Sequence, residues 1–201
     1  MQLKTRRKFL QNFSYGAISL WLLGGKSSQA HNCLAKHTEN NPQGPFYKPN
    51  VPSRDIANDA VGGQALTLDL VFQSTDCQYL RKKTIEIWHT DPSGNYDLKG
   101  YRFRTTHIVD YKTSINTVRP GRYYDRGLQR YRPAHIHVKV SMSGYDLLTT
   151  QLYFPDDPYN IGDPFFKSSL VLNGFSEQPT GSGQYYGYYI FHLNLPHGSI
   201  N

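Results

Sequence analysis

Cysteine is scarce in this chain, with only Cys33 and Cys77 in 201 residues. That excludes a cysteine-rich zinc module or a small scaffold held by several disulfides. Charged residues make up 18% of the chain. The basic ones outside the N-terminus are scattered and form no stripe, which argues against a nucleic-acid-binding surface. Helix signals are few, and no internal repeat or low-complexity tract stands out. The longest apolar stretch, Phe13 to Leu23, is too short for a comfortable membrane span.

The abundant residues are 16 tyrosines, 17 glycines and 12 prolines. With so few helix signals, this composition reads as a turn-rich β protein. Alternation of apolar and polar residues predicts strands at 65–72, 84–89, 115–118, 135–142, 147–154 and 185–195, with a less regular one at 101–106. Short strands separated by Gly/Pro turns imply an all-β fold, a single-domain β-sandwich with extended loops.

Three regions follow. Residues 1–30 carry Lys4-Thr5-Arg6-Arg7-Lys8-Phe9-Leu10, then the apolar segment, then Lys26-Ser27-Ser28-Gln29-Ala30. This order describes an N-terminal export signal of the twin-arginine type and a periplasmic destination. Five of the seven net positive charges lie there, so about +2 remains for the mature chain. Residues 31–60, with Pro42, Pro45, Pro49 and Pro52, read as an arm lying over the domain. Residues 61–201 form the sandwich. In an oxidising compartment a Cys33–Cys77 disulfide is expected to tie the arm to the first strands.

The candidate chemistry centres on Arg132-Pro133-Ala134-His135-Ile136-His137. Two histidines at i and i+2 of a strand share one face, so both imidazoles can meet one metal ion. No acidic residue lies at short spacing from the pair, which disfavours a zinc or copper site. Tyrosines upstream offer phenolate oxygens, and two nitrogens with two anionic oxygens suit a hard, oxidised metal such as ferric iron.

The segment Arg132–His137, followed by Thr149-Thr150-Gln151-Leu152-Tyr153-Phe154, resembles the intradiol ring-cleavage dioxygenases of the protocatechuate and catechol type. Gly44-Pro45-Phe46-Tyr47 with Arg54-Asp55-Ile56, the run Ile85 to Tyr96, and Thr117 to Tyr123 resemble further family segments in the same order. The resemblance implies Fe(3+) held by Tyr96, Tyr123, His135 and His137. It implies Arg132 as an active-site cation and Tyr123 as a base released on substrate binding. Tyr47 and Gln151 are implied near the substrate. Tyr124 stands where the family usually carries proline, so Tyr123 and Tyr124 both remain candidates for the second phenolate; the spacing from Pro120 favours Tyr123. Residues 97–114 fit the family pattern poorly.

The implied activity is cleavage of a catechol-type ring between its two hydroxylated carbons, with both atoms of O2 incorporated. The implied partners are that small molecule and O2, with no nucleic acid, a membrane only through the export signal, and an oligomer left open. The competing expectation is a non-catalytic exported β-sandwich that binds aromatic or carbohydrate ligands.

Overall fold

The computed structural model describes residues 34–59 and 62–195. The export-signal segment and Cys33 lie outside the described residues. Cys77 is disulfide-bonded.

Among the described residues ten strands follow in chain order: β1 Ala65–Ser74, β2 Lys83–Trp88, β3 Arg104–Val109, β4 Lys112–Val118, β5 Tyr124–Asp125, β6 Arg130–Tyr131, β7 His135–Met142, β8 Tyr145–Tyr153, β9 Asn173–Glu177 and β10 Gln184–Leu193. They form two four-stranded sheets, β4-β1-β10-β9 and β3-β2-β7-β8, and a short β5-β6 hairpin. Three short 3-10 turns are the only helical elements among the described residues. The expected all-β, sandwich-like architecture is what the chain adopts.

Strict alternation builds the core. In β1, Leu66, Leu68, Leu70 and Phe72 are buried while their neighbours are half-exposed. Ile85 and Ile87 of β2 and Ile136, Val138 and Val140 of β7 join the same apolar cluster. Within the first sheet, Phe72 stacks on its cross-strand partner Phe191 of β10 with ring centroids 4.9 Å apart. β1 pairs in parallel with β10 over ten residues, from Ala65↔Gln184 to Ser74↔Leu193. It pairs antiparallel with β4 on its other edge.

Because Ile136 and Val138 face the core, His135 and His137 turn to the opposite face of their sheet. There the register forms a row across four strands: Arg104 opposite Trp88, Trp88 opposite His137, and His137 opposite Gln151. The segment after residue 34 runs without a strand of its own. Its backbone bonds at Ala35, Thr38 and Asn41 reach Thr75, His192 and Thr149 respectively.

His89 follows β2 and is fully buried. Its Nδ1 donates to the Thr90 carbonyl at 2.7 Å, which leaves Nε2 to accept from the Thr117 hydroxyl at 2.9 Å. Burial pushes its pKa down to about 4. Between that value and the ordinary 6.5, the unfolded chain takes up a proton that the fold refuses. Stability is therefore expected to fall as pH drops from 6.5 towards 4, by on the order of 3 kcal/mol from this residue. Urea unfolding across that range checks this, and His89→Gln should flatten the slope.

Candidate functional site

Two loops carry the tyrosines to the histidine face. Asp91 to Asn95 make a tight turn, with Asp91 accepting from the backbone N–H groups of Ser93 and Asn95 at 2.9 Å each. The second loop is fastened to that turn: Gly121 N–H donates to the Asp91 carbonyl at 2.9 Å, and the Thr90 hydroxyl donates to the Gly121 carbonyl at 2.7 Å. Gly94 sits at φ +87, and a Cβ there would run into the Arg122 carbonyl. Only glycine permits both that backbone conformation and that approach. Gly94→Ala is therefore expected to push the Tyr123 loop away and to lower the melting temperature.

Tyr96 and Tyr123 arrive buried, each 9% exposed, and pack edge to face at 5.5 Å between centroids. Tyr96 Oη lies 3.5 Å from His135 Nε2. The Tyr123 ring lies 5.8 Å from that of His135, and the two imidazoles are 4.9 Å apart. All four side chains thus share one buried cluster. Tyr124 instead is half-exposed and packs on Tyr131 of the hairpin.

The atoms of this cluster carry free lone pairs. His135 Nδ1 donates to the Pro133 carbonyl at 2.7 Å, so Nε2 keeps its lone pair and faces Tyr96. Donor–metal bonds of about 2 Å would put neighbouring donor atoms about 3 Å apart, against 3.5 Å between Tyr96 Oη and His135 Nε2. His137 is held flat against Trp88, with centroids 4.7 Å apart and planes 4° apart, and its buried Nδ1 has no hydrogen-bond partner. Burial pushes the pKa of His135 down to about 3 and that of His137 well below its ordinary value, so both imidazoles are neutral. Burial likewise raises Tyr96 strongly and Tyr123 to about 12, while the Arg132 charge opposes both shifts. A bound trivalent ion would supply the charge needed to turn two such phenols into phenolates. Among the described residues no group of three His, Cys, Asp or Glu could hold a metal; the donors here are two histidines and two tyrosines.

A cavity of about 650 Å³ opens onto Tyr96 and Tyr123 and is also lined by Phe46, Leu98, Asp125 and Arg126. That is ample room for a small aromatic ligand. Phe46 stacks on Tyr96 at 4.2 Å. Tyr47 does not line the cavity; its hydroxyl bonds Glu86 at 3.0 Å and its ring packs edge-on against Trp88. Gln151 is also withdrawn. Its Oε1 accepts from Arg132 and Tyr153, and its Nε2 donates to the Pro42 carbonyl.

A family model described as Dioxygenase (Dioxygenase_C) matches residues 43–182. The chain belongs to the intradiol ring-cleavage dioxygenase family. The dioxygenase domain of a dioxygenase–carbohydrate-binding protein fusion from Streptomyces sp. SirexAA-E superposes with a TM-score of 0.70 at 30% identity, covering 80% of this chain and all of that one. A chlorocatechol 1,2-dioxygenase of Rhodococcus opacus is 30% identical over 160 residues, 65% of this chain and 62% of that protein. An intradiol ring-cleavage dioxygenase of Aspergillus niger is 27% identical over 176 residues, 74% of this chain and 52% of that protein. The chain spans between about half and three-fifths of the length of the curated relatives it matches.

Within this intradiol dioxygenase chain, sequence reasoning missed three groups that hold the site. Asp163 forms a buried ion pair with Arg132, Oδ2 to Nε at 2.8 Å. Asp125 accepts a hydrogen bond from Tyr123 Oη at 2.9 Å. Trp88 supplies the surface on which His137 stacks. The run Tyr124 to Leu128 signals a turn, but nothing local in the sequence marks Asp163 as the partner of an arginine 31 positions away.

Proposed function

We propose that Tyr96, Tyr123, His135 and His137 hold ferric iron, and that the protein cleaves a catechol-type ring between its hydroxylated carbons, incorporating both atoms of O2. The observation that carries this is the meeting of four buried, neutral N and O donors beside an open cavity, in a chain of the intradiol dioxygenase family. The bound iron would supply a Lewis acid that takes up both catechol oxygens and makes the ring reactive toward O2.

The chain's own residues do the rest. Phe46 and Leu98 give the cavity apolar walls for the ring. Tyr123 Oη is placed to receive a proton from a substrate hydroxyl, and Asp125 offers the resulting phenol an acceptor. Arg132 has Nε and Nη2 committed to Asp163, Gln151 and Tyr153, and its charge favours the ionised Tyr123. The same positive end stabilises negative charge developing on the ring, a preorganised electrostatic contribution. Gln151 and Asp163 act by holding Arg132.

Reconstitution with ferric iron tests the proposal. The expected result is a red protein, from tyrosinate-to-ferric charge transfer, that consumes O2 with catechol, protocatechuate or hydroxyquinol. A colourless protein with a full complement of iron would overturn the ligand assignment. A protein that binds no iron, yet binds aromatics or sugars, would favour the non-catalytic reading instead. Export rests on the residue 1–30 pattern; its test is recovery of the protein from the periplasmic fraction, lost on replacing Arg6 and Arg7 by lysine.

A further inference from the structure

We infer that the protein's substrate is a catechol carrying a second aromatic ring, and that Tyr124 and Tyr131 form a shelf that seats this distal ring. The inference deepens the proposed ring cleavage and rests on it. Tyr124 lines the cavity that opens onto Tyr96 and Tyr123. It is also the first of three exposed tyrosines in mutual contact, Tyr124, Tyr131 and Tyr159. Tyr124 stands opposite Tyr131 in the β5-β6 hairpin, and directly opposed residues present their side chains on one face. Their ring centroids are 5.3 Å apart, and the Tyr131 ring lies 6.4 Å from that of Tyr159, each pair edge to face.

The core does not use these rings, since no residue of β5 or β6 is buried. Hydrogen bonds nevertheless fix them beside the site. Asp125 Oδ1 accepts from the N–H groups of Gly127 and Leu128 while its Oδ2 accepts from Tyr123, so the hairpin turn is fastened to the cluster. Arg130 Nη1 donates to the Gly162 carbonyl at 2.7 Å, which ties the hairpin to the segment that follows Tyr159. Asp157 accepts from the Tyr159 N–H and also holds Arg122, whose guanidinium lies 4.5 Å from the centre of the Tyr159 ring. The occupant follows from size and chemistry. The cavity of about 650 Å³ falls in the range of about 300–1,000 Å³ that encloses drug-sized ligands, and a lone catechol leaves much of it empty. Exposed aromatic surface continuous with such a cavity marks a ligand groove. Tyrosines offer an apolar ring with a polar tip, which suits a second phenolic ring. Tyr124 stands where the family usually carries proline, so the first ring of the shelf is an addition in this chain.

The experiment uses the iron-loaded full chain and three probes. One is catechol. The second is a catechol joined through a two-carbon linker to a phenol ring, and the third carries a saturated ring in place of that phenol. The expected result is a higher kcat/KM for the two-ring catechol than for catechol, gained through KM. Tyr131→Ala should cut that preference by about 3- to 10-fold, the range that one aromatic pair supplies, and should act on KM rather than kcat. The saturated-ring probe should gain less and lose less. Calorimetry without O2 should show the same loss in Kd for the two-ring catechol, with no turnover involved.

No preference for the two-ring catechol, or an equal loss for catechol and the two-ring probe in Tyr131→Ala, would overturn the shelf and leave ring cleavage intact. Binding of a soluble cello-oligosaccharide that Tyr131→Ala abolishes, with the two-ring preference unmoved, would assign the strip to sugars and overturn the inference. A parent protein that cleaves no catechol would overturn the proposed activity itself, and calorimetry would still show whether the two-ring ligand needs Tyr131. Should Tyr131→Ala fail to fold, Tyr131→Leu decides: it keeps an apolar side chain on the hairpin and removes the aromatic face, so a lost preference supports the shelf and a retained one overturns it.

Discussion

On the proposed ferric reading, Tyr96→Phe is expected to lower catechol cleavage by well over a hundredfold and to weaken or shift the visible band of the iron-loaded protein. The argument is one of charge. The site gathers two neutral imidazoles and two phenols, all buried, and the phenols are the only donors in it able to become anions. Removing one hydroxyl leaves a trivalent ion with a single phenolate. It also removes the atom that faces His135 Nε2 at 3.5 Å. Loss of a direct ligand should exceed the 10- to 100-fold typical of supporting residues. Tyr123→Phe is expected to be comparably damaging for a second reason: the proton acceptor for substrate and its partnership with Asp125 disappear together. Tyr124→Phe, at a half-exposed ring that packs on Tyr131, should leave colour and turnover near the parent level. O2 uptake and absorption spectra on matched iron contents separate the three variants.

Arg132→Met is expected to destabilise the fold and depress turnover at once. Arg132 is 3% exposed, and the side chain of its partner Asp163 is 1% exposed. Taking away the guanidinium strands a buried carboxylate, a change that costs about 3–5 kcal/mol. It also leaves Gln151 Oε1 and Tyr153 Oη without a donor they now share. On activity, loss of a preorganised positive group costs about 10²–10³ in kcat. The two effects part company in Arg132→Met combined with Asp163→Leu. Removing both charges should recover much of the melting temperature and none of the turnover. Arg132→Lys should do neither fully, because an ammonium cannot make the forked contacts to Asp163, Gln151 and Tyr153.

Much of this site was readable where a side chain's role follows from its neighbours along the strand. The alternation of Ile136, Val138 and Val140 with His135 and His137 tells which face is core and which is free, and the structure follows it. The tyrosines were legible only through family resemblance, since nothing local separates Tyr96 or Tyr123 from the other fourteen. Strand β9 and the β5-β6 hairpin went unread for a physical reason: none of their residues is buried, so no burial pattern is written into them. The strand expected at 101–106 was irregular, and its bounds differ from β3, because β3 breaks alternation, burying Arg104 and Thr105 in succession and leaving Ile108 81% exposed. Trp88, Asp125 and Asp163 were missed because their importance lies in contacts that a strand register or a folded loop creates.

The parallel pairing of β1 with β10 has a consequence for how the molecule is born. Leu66, Leu68, Leu70 and Phe72 meet β4 on one edge, but their parallel partner on the other is a segment synthesised more than a hundred residues later. Contacts of such sequence separation slow folding, since the chain must close a long loop before they bring any gain. The ribosome therefore has to release nearly the whole polypeptide before this sheet can be completed, and a product terminated ahead of Gln184 would leave the β10 edge of β1 open to aggregation.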